Sequence, residues 1–181
     1  MKNNLLQMSK YDKLKGTGVA LVTPFTKDHS IDFAALGRVI DHVIKGGVEY
    51  VVALGTTGET PTLSREEKKS LVKYIVEKVN KRVAVVVGIG GNHTGEVIDT
   101  FKQYDLRGVD GILSVSPYYN KPNQQGIFQH YKAIASESPL PVIIYNVPGR
   151  TGSNISAETT LQLAREVKNI VAVKEASGNL D

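Results

Sequence analysis

The 181-residue sequence contains no cysteine and no tryptophan. Without cysteine there are no disulfides, no thiolate metal sites and no cysteine nucleophile, and a reducing compartment suits the chain. No apolar run approaches the roughly 20 residues of a membrane span. A secretory apolar core is missing too, since Leu5 and Leu6 are followed by Gln7 and soon by charge. These absences predict a soluble, cytoplasmic protein that makes no use of a membrane.

A large excess of one charge is also lacking. Twenty-two Lys and Arg stand against 18 Asp and Glu, for a net +4 and a pI near 9.2. Most of that excess lies in residues 1–15, where Lys2, Lys10, Lys13 and Lys15 face only Asp12. A phosphate-tracking groove needs clustered cations on a folded face, with interleaved aromatics. The sequence therefore reads as a basic, solvated tail (1–15) ahead of one domain (16–181), with no nucleic-acid partner.

What is present is an ordinary globular composition, 41% hydrophobic with 17 Gly. Short β-branched runs alternate with amphipathic stretches. Strands are predicted at 18–23, 50–54, 83–87, 109–115, 141–145 and 170–173. Five helices fall between them, at about 32–45, 64–79, 96–104 and 124–135, and after Ser156. Ser64-Arg-Glu-Glu67 reads as a capping box. The strands are continuous apolar runs rather than alternating ones, so both faces should be covered, as in a parallel sheet wrapped by crossover helices.

Repeated βα units fit an open doubly wound sheet or a (β/α)8 barrel. The open sheet needs a phosphate loop. Its best candidate, Gly88-Ile-Gly-Gly-Asn-His93, carries His93 where the third glycine belongs, and no Walker pattern occurs.

Polar residues gather at the carboxyl ends of the strands, where barrels build their sites. Gly55-Thr-Thr-Gly-Glu59 follows the second strand and Ser116-Pro-Tyr-Tyr-Asn120 the fourth. Tyr145-Asn-Val-Pro-Gly-Arg-Thr151 follows the fifth, and Lys174-Glu-Ala-Ser-Gly-Asn179 the sixth. Lys174 is either a snorkelling lysine or, with its stem against the interior, a partly dry amine suited to attack a carbonyl. Gly55-Thr-Thr-Gly58 is either a plain turn or a small carboxylate cradle of N–H groups and hydroxyls. Tyr145 is a core phenol or a proton shuttle, and Arg150 a surface residue or a bidentate carboxylate clamp. His29, His42, His93 and His130 lack ligand spacing and are assigned to the surface or to caps, with no metal expected.

These four segments, in this order and spacing, resemble the dihydrodipicolinate synthase and N-acetylneuraminate lyase family of pyruvate-dependent class I aldolases, from about Lys15 to Asp181. The resemblance implies an α/β fold, a (β/α)8 TIM barrel, of which this chain holds six strands and five helices. It implies a Schiff base between Lys174 and pyruvate, with Tyr145, Thr56 and Tyr119 as a proton relay. Thr57 would hold the pyruvate carboxylate, and Arg150 the carboxylate of aspartate 4-semialdehyde. Tyr119 would serve a neighbouring subunit, so a homo-oligomer, commonly a dimer of dimers, is implied. No metal or separate cofactor is required.

The Thr-Thr pair and Gly149-Arg150-Thr151 favour the synthase over the sialic-acid lyase within that resemblance. The alternatives are a pyruvate aldolase acting on a sugar-acid aldehyde and an inactive scaffold. A possible allosteric lysine site would use Asn92, Glu96 and Tyr118. Arg65 and Lys68 replace histidines of inhibited members, and their charge repels an ammonium, so weak or absent lysine inhibition is expected. Length is where the pattern breaks. A barrel takes about 250 residues, and six strands cannot close. The sequence is therefore either a fragment or a short form that leans on another copy or partner, and alone it is expected to be poorly soluble or inactive.

Overall fold

The structure, a computed structural model, describes residues 11–179. Val-rich runs form six strands: β1 (Gly18–Ala20), β2 (Tyr50–Ala53), β3 (Ala84–Gly88), β4 (Gly111–Val115), β5 (Val142–Asn146) and β6 (Ile170–Glu175). All pair in parallel in the order β1-β2-β3-β4-β5-β6. Strand neighbours in sequence are thus neighbours in space. A doubly wound sheet would reverse direction partway, so this is the barrel progression.

Five helices make the crossovers: α1 (Phe33–Lys45), α2 (Arg65–Val79), α3 (Thr94–Gln103), α4 (Gln124–Glu137) and α6 (Ala157–Glu166). A sixth, four-residue helix α5 (Pro148–Thr151) lies beyond the five expected, opened by Pro148 at the first helical position, which needs no N–H. Side-chain caps from Asp32, Ser64, His93, Asn123 and Ser156 start the others. The capping box at Ser64 is complete, Ser64 Oγ accepting from Glu67 N–H and Glu67 Oε2 from Ser64 N–H.

Alternation divides each strand. Val51, Ala53, Val85, Val87 and Ile112 pack against Leu36, Ile40, Leu71 and Ile75 of the outer helices. Ile144 joins Ile127, Tyr131 and Leu163 in a second outer cluster. Val52, Val86, Leu113, Tyr145 and Val147 form the inner face of the curved sheet. The expectation of strands covered on both sides holds for β2 to β5 and fails at the two edges: no residue of β1 is buried, and residues 172–175 of β6 are exposed. No described strand lies beyond β6, and Val173 and Leu161 are left wet on that side.

Of the basic leader, Lys2 and Lys10 lie outside the described residues. Asp12–Leu14 makes one 3-10 turn, Lys13 pairs with Asp110, and Leu14 packs on the inner cluster. Among the described residues no helix is long and apolar enough to cross a membrane.

His130 corrects the assignment of all histidines to surface or caps. His93 does cap α3, but His130 on α4 is buried, its Nδ1 paired with Thr94 Oγ1 at 2.8 Å and its Nε2 without a protein partner. The Ile127, Phe128 and Tyr131 that surround it on α4 turn toward the sheet and carry the ring inward with them. Burial pushes the imidazole down to about 4. The unfolded chain, near 6.5, therefore binds the extra proton between these values. Stability is then complete above about pH 6.5 and declines as pH falls toward 4, by about 3 kcal/mol if His130 acts alone. Urea melts across that range check this, and in His130→Gln the decline should flatten.

Candidate active site

The loop after β2 is pre-shaped by backbone geometry. Leu54 and Glu59 both adopt left-handed conformations, at φ 52° and 55°, on either side of a 3-10 turn at Thr56–Gly58. Left-handed backbone in a leucine is costly, and such strain gathers at working sites. Gly58 N–H donates to Gly55 carbonyl at 3.0 Å, Thr60 Oγ1 to the same carbonyl at 3.0 Å, and Thr23 Oγ1 to Gly58 carbonyl at 2.7 Å. β3 makes room for this loop by ending in glycine. A Cβ on Gly88 would lie 2.1 Å from the Leu54 carbonyl oxygen, and one on Gly90 would lie 2.6 Å from Val115 N.

On β5, Tyr145 is 7% exposed and faces the inner side. The wall behind it is buried and hydrogen-bonded. Tyr131, fully buried on α4, donates from its hydroxyl to Ser114 carbonyl at 2.9 Å, and burial pushes that phenol far up. The α5 turn that follows carries Arg150 and is locked by Thr151, whose Oγ1 donates to Ser153 carbonyl at 2.8 Å. Register sets Lys174 opposite Tyr145, and its Nζ lies 4.5 Å from the centre of the Tyr145 ring.

Thr56, Tyr145 and Arg150 thus line one cavity of about 370 Å³, with Leu54, Gly88 and Lys68 among its walls. Lys174 rests on the aromatic ring that lines it. Thr57 is exposed and is not part of the lining, and Tyr119 is 85% exposed with φ 68°. Lys174 is itself exposed, which corrects the expectation of a dry stem: among the described residues β6 has no outer neighbour to cover it. Lys68 and Arg150 in the lining, with Lys174 on the Tyr145 ring, bring positive charge to this cavity and favour small anionic ligands.

A second cavity of about 480 Å³ adjoins the first and holds Asn92, Glu96 and Tyr118 together with Arg65 and Lys68. Asn92 Nδ2 donates to Tyr118 carbonyl at 3.1 Å. Lys68, Gly90 and Tyr118 line both cavities. Sequence reasoning gave Lys68 no part in the wall of the first cavity. Its helical position one turn after the Ser64 cap was the available signal. Among the described residues no group of three or more His, Asp and Glu side chains gathers as a metal would require.

Comparison with known proteins gives the arrangement a family. The profile of the dihydrodipicolinate synthetase family matches residues 13–181. A 4-hydroxy-tetrahydrodipicolinate synthase of Parabacteroides distasonis is 56% identical over 167 residues, covering 92% of this chain and 56% of that relative. The crystal structure of a dihydrodipicolinate synthase from Acinetobacter baumannii complexed with pyruvate superposes with a TM-score of 0.88 at 46% identity, over 92% of this chain and 57% of the other. That of the Cyanidioschyzon merolae enzyme with lysine bound gives 0.85 at 43% identity, over 91% and 57%. The chain spans about half the length of the curated relatives it matches. On profile, identity and fold together, the chain belongs to the dihydrodipicolinate synthetase family.

Proposed function

We propose that the chain carries the chemistry that condenses pyruvate with aspartate 4-semialdehyde through an imine on Lys174, a lyase-class step on the route to diaminopimelate and lysine. The observation that carries this reading is one amine set against one phenol, Lys174 Nζ on the Tyr145 ring, beside a cavity that also holds Thr56 and Arg150. The pyruvate seen in the Acinetobacter baumannii relative supports the choice of first substrate.

In this mechanism the Lys174 amine adds to the keto carbon of pyruvate, and loss of water gives the imine. The imine withdraws electrons, so a methyl proton leaves and an enamine forms. The enamine carbon attacks the aldehyde of the second substrate, whose oxygen takes up a proton. The amine of that substrate then adds to the imine carbon and displaces Lys174, which closes the ring and frees the enzyme. Each proton needs a carrier within hydrogen-bond reach. Tyr145, Thr56 and a Tyr119 from a neighbouring subunit serve as that relay. Thr57 holds the pyruvate carboxylate, and Arg150, on the α5 turn, that of the semialdehyde. The exposure of Tyr119 accords with its reaching into another copy, within a homotetramer built as a dimer of dimers. The reading needs no metal or added cofactor.

The adjoining cavity is the proposed feedback site, with Asn92, Glu96 and Tyr118 as its polar contacts and the cations Arg65 and Lys68 weakening its hold on lysine. The lysine-bound Cyanidioschyzon merolae relative supports placing an effector in this family. The absence of cysteine accords with a cytoplasmic setting.

Borohydride reduction in the presence of pyruvate tests the reading. The expected product is a reduced pyruvyl adduct mapped by mass spectrometry to Lys174. A folded chain that yields no adduct, or one at another lysine, overturns it.

A further inference from the structure

The residue that follows Tyr145 and the residue that follows Lys174 are bonded to each other. Asn146, the last residue of β5, is 1% exposed, and every polar atom of its side chain is used. Its Nδ2 donates to Glu175 Oε2 at 2.8 Å and Oε1 at 3.1 Å, and to Asn154 Oδ1 at 2.8 Å. Its Oδ1 accepts from Ile155 N–H at 3.0 Å, and its backbone carbonyl from Ala176 N–H at 2.9 Å. Glu175 Oε1 also accepts from Ser177 N–H at 2.7 Å. Although desolvation raises the Glu175 carboxyl, the donors from Asn146 and Ser177 outweigh it and keep it below its ordinary range. One carboxamide thus joins three segments: the end that carries Tyr145, the end that carries Lys174, and the chain that leaves Arg150.

The lower part of β6 does not fix its own register. Val142 pairs with Ile170, but Ile143 pairs with Ala172, so Val171 is looped out at an irregularity. With an extra residue available, the pairing above it has alternatives. A slip of one residue turns every side chain to the opposite face of the sheet. Lys174 would then point to the helix side and away from the Tyr145 ring. The Asn146–Glu175 bond lies above the irregularity and is satisfied only when Tyr145 faces Lys174.

We infer that Asn146, through Glu175, is a positioning residue that sets the register in which the Lys174 amine meets the Tyr145 ring. Its chemical consequence rests on the imine reading above, whereas its structural content does not.

The test exchanges the two functional groups in the full chain. Asn146→Asp sets two carboxylates against each other. Asn146→Asp with Glu175→Gln restores donor to acceptor in the opposite sense and leaves acceptors for Ile155 and Ser177. Two readouts are taken on variants whose circular dichroism and melting show a folded chain. The first is the NMR shift of the Lys174 ε-methylene protons, displaced upfield in the parent by the Tyr145 ring. The second is the rate of borohydride trapping with pyruvate. Asn146→Asp should lose most of the displacement and slow trapping by about tenfold or more, and the exchanged pair should regain both to within about threefold of the parent rate. Asn146→Asp with both readouts unchanged overturns the inference, as does an exchanged pair that recovers neither. If Asn146→Asp does not fold, Glu175→Ala carries the test from the exposed partner: the same losses support the inference, and parental values overturn it. Should the parent itself form no adduct, the imine reading fails while the NMR comparison still decides the positioning role.

Discussion

Lys174→Ala should abolish the pyruvate adduct and, wherever turnover with pyruvate and aspartate 4-semialdehyde is measurable, lower it by at least about a thousandfold, because it removes the amine set against the Tyr145 ring. Lys174→Arg should fail equally, since a guanidinium stays charged and forms no imine under these conditions. The structure makes this a clean experiment. Lys174 is exposed on β6, and its Nζ meets the Tyr145 ring with no ion pair or hydrogen bond beside it among the described residues. Removing an exposed side chain changes stability by about 0.5 kcal/mol or less, so melting should be nearly unchanged while chemistry is lost. Turnover that survives the substitution would refute the proposed function outright.

Gly88→Ala should be the costliest single-methyl change in the cavity wall. The added Cβ would meet the Leu54 carbonyl at 2.1 Å and its carbonyl carbon at 2.7 Å, and these are backbone atoms that cannot rotate aside. Leu54 is already held at φ 52°, so little freedom remains to absorb the push. Overpacking typically costs about 1–3 kcal/mol, and a backbone obstacle puts this site at the upper end. For a domain of this size that corresponds to a fall of roughly 6–12 °C in Tm. The displaced loop carries Thr56, so pyruvate trapping should slow as well. Gly149→Ala is the control, because nothing lies within 4 Å of its added Cβ and its melt should stay near the parent's. A Gly88→Ala melt that matches the control would show that the β2 loop yields easily.

Much of the fold was legible because its signals are local. Continuous β-branched runs mark buried parallel strands, and a Ser followed three residues later by Glu marks the start of α2. The clustering of hydroxyls, phenols, Arg150 and Lys174 at strand ends was legible for the same reason, since each cluster directly follows its strand. Contacts set by distant residues were not legible. Nothing near His130 says that α4 turns it inward onto Thr94, thirty-six positions away. The Asn146–Glu175 bond depends on a register that an irregular β6 cannot reveal in one dimension. The exposure of Lys174 reflects the edge position of its strand, which the apolar run Ile170–Val173 does not encode. Tyr119 points to solvent, so its proposed role lies in another copy and outside any pattern within one chain.

The sequential order of the sheet has a consequence for how the molecule assembles. Each strand pairs with the one before it across about thirty residues of chain, as Gly18 with Tyr50, Tyr50 with Ala84, and Ile112 with Val142. The entropic cost of closing such a loop is modest and nearly the same at every step. Growth can therefore proceed unit by unit as the polypeptide leaves the ribosome, each finished helix-and-strand pair serving as the template on which the next condenses.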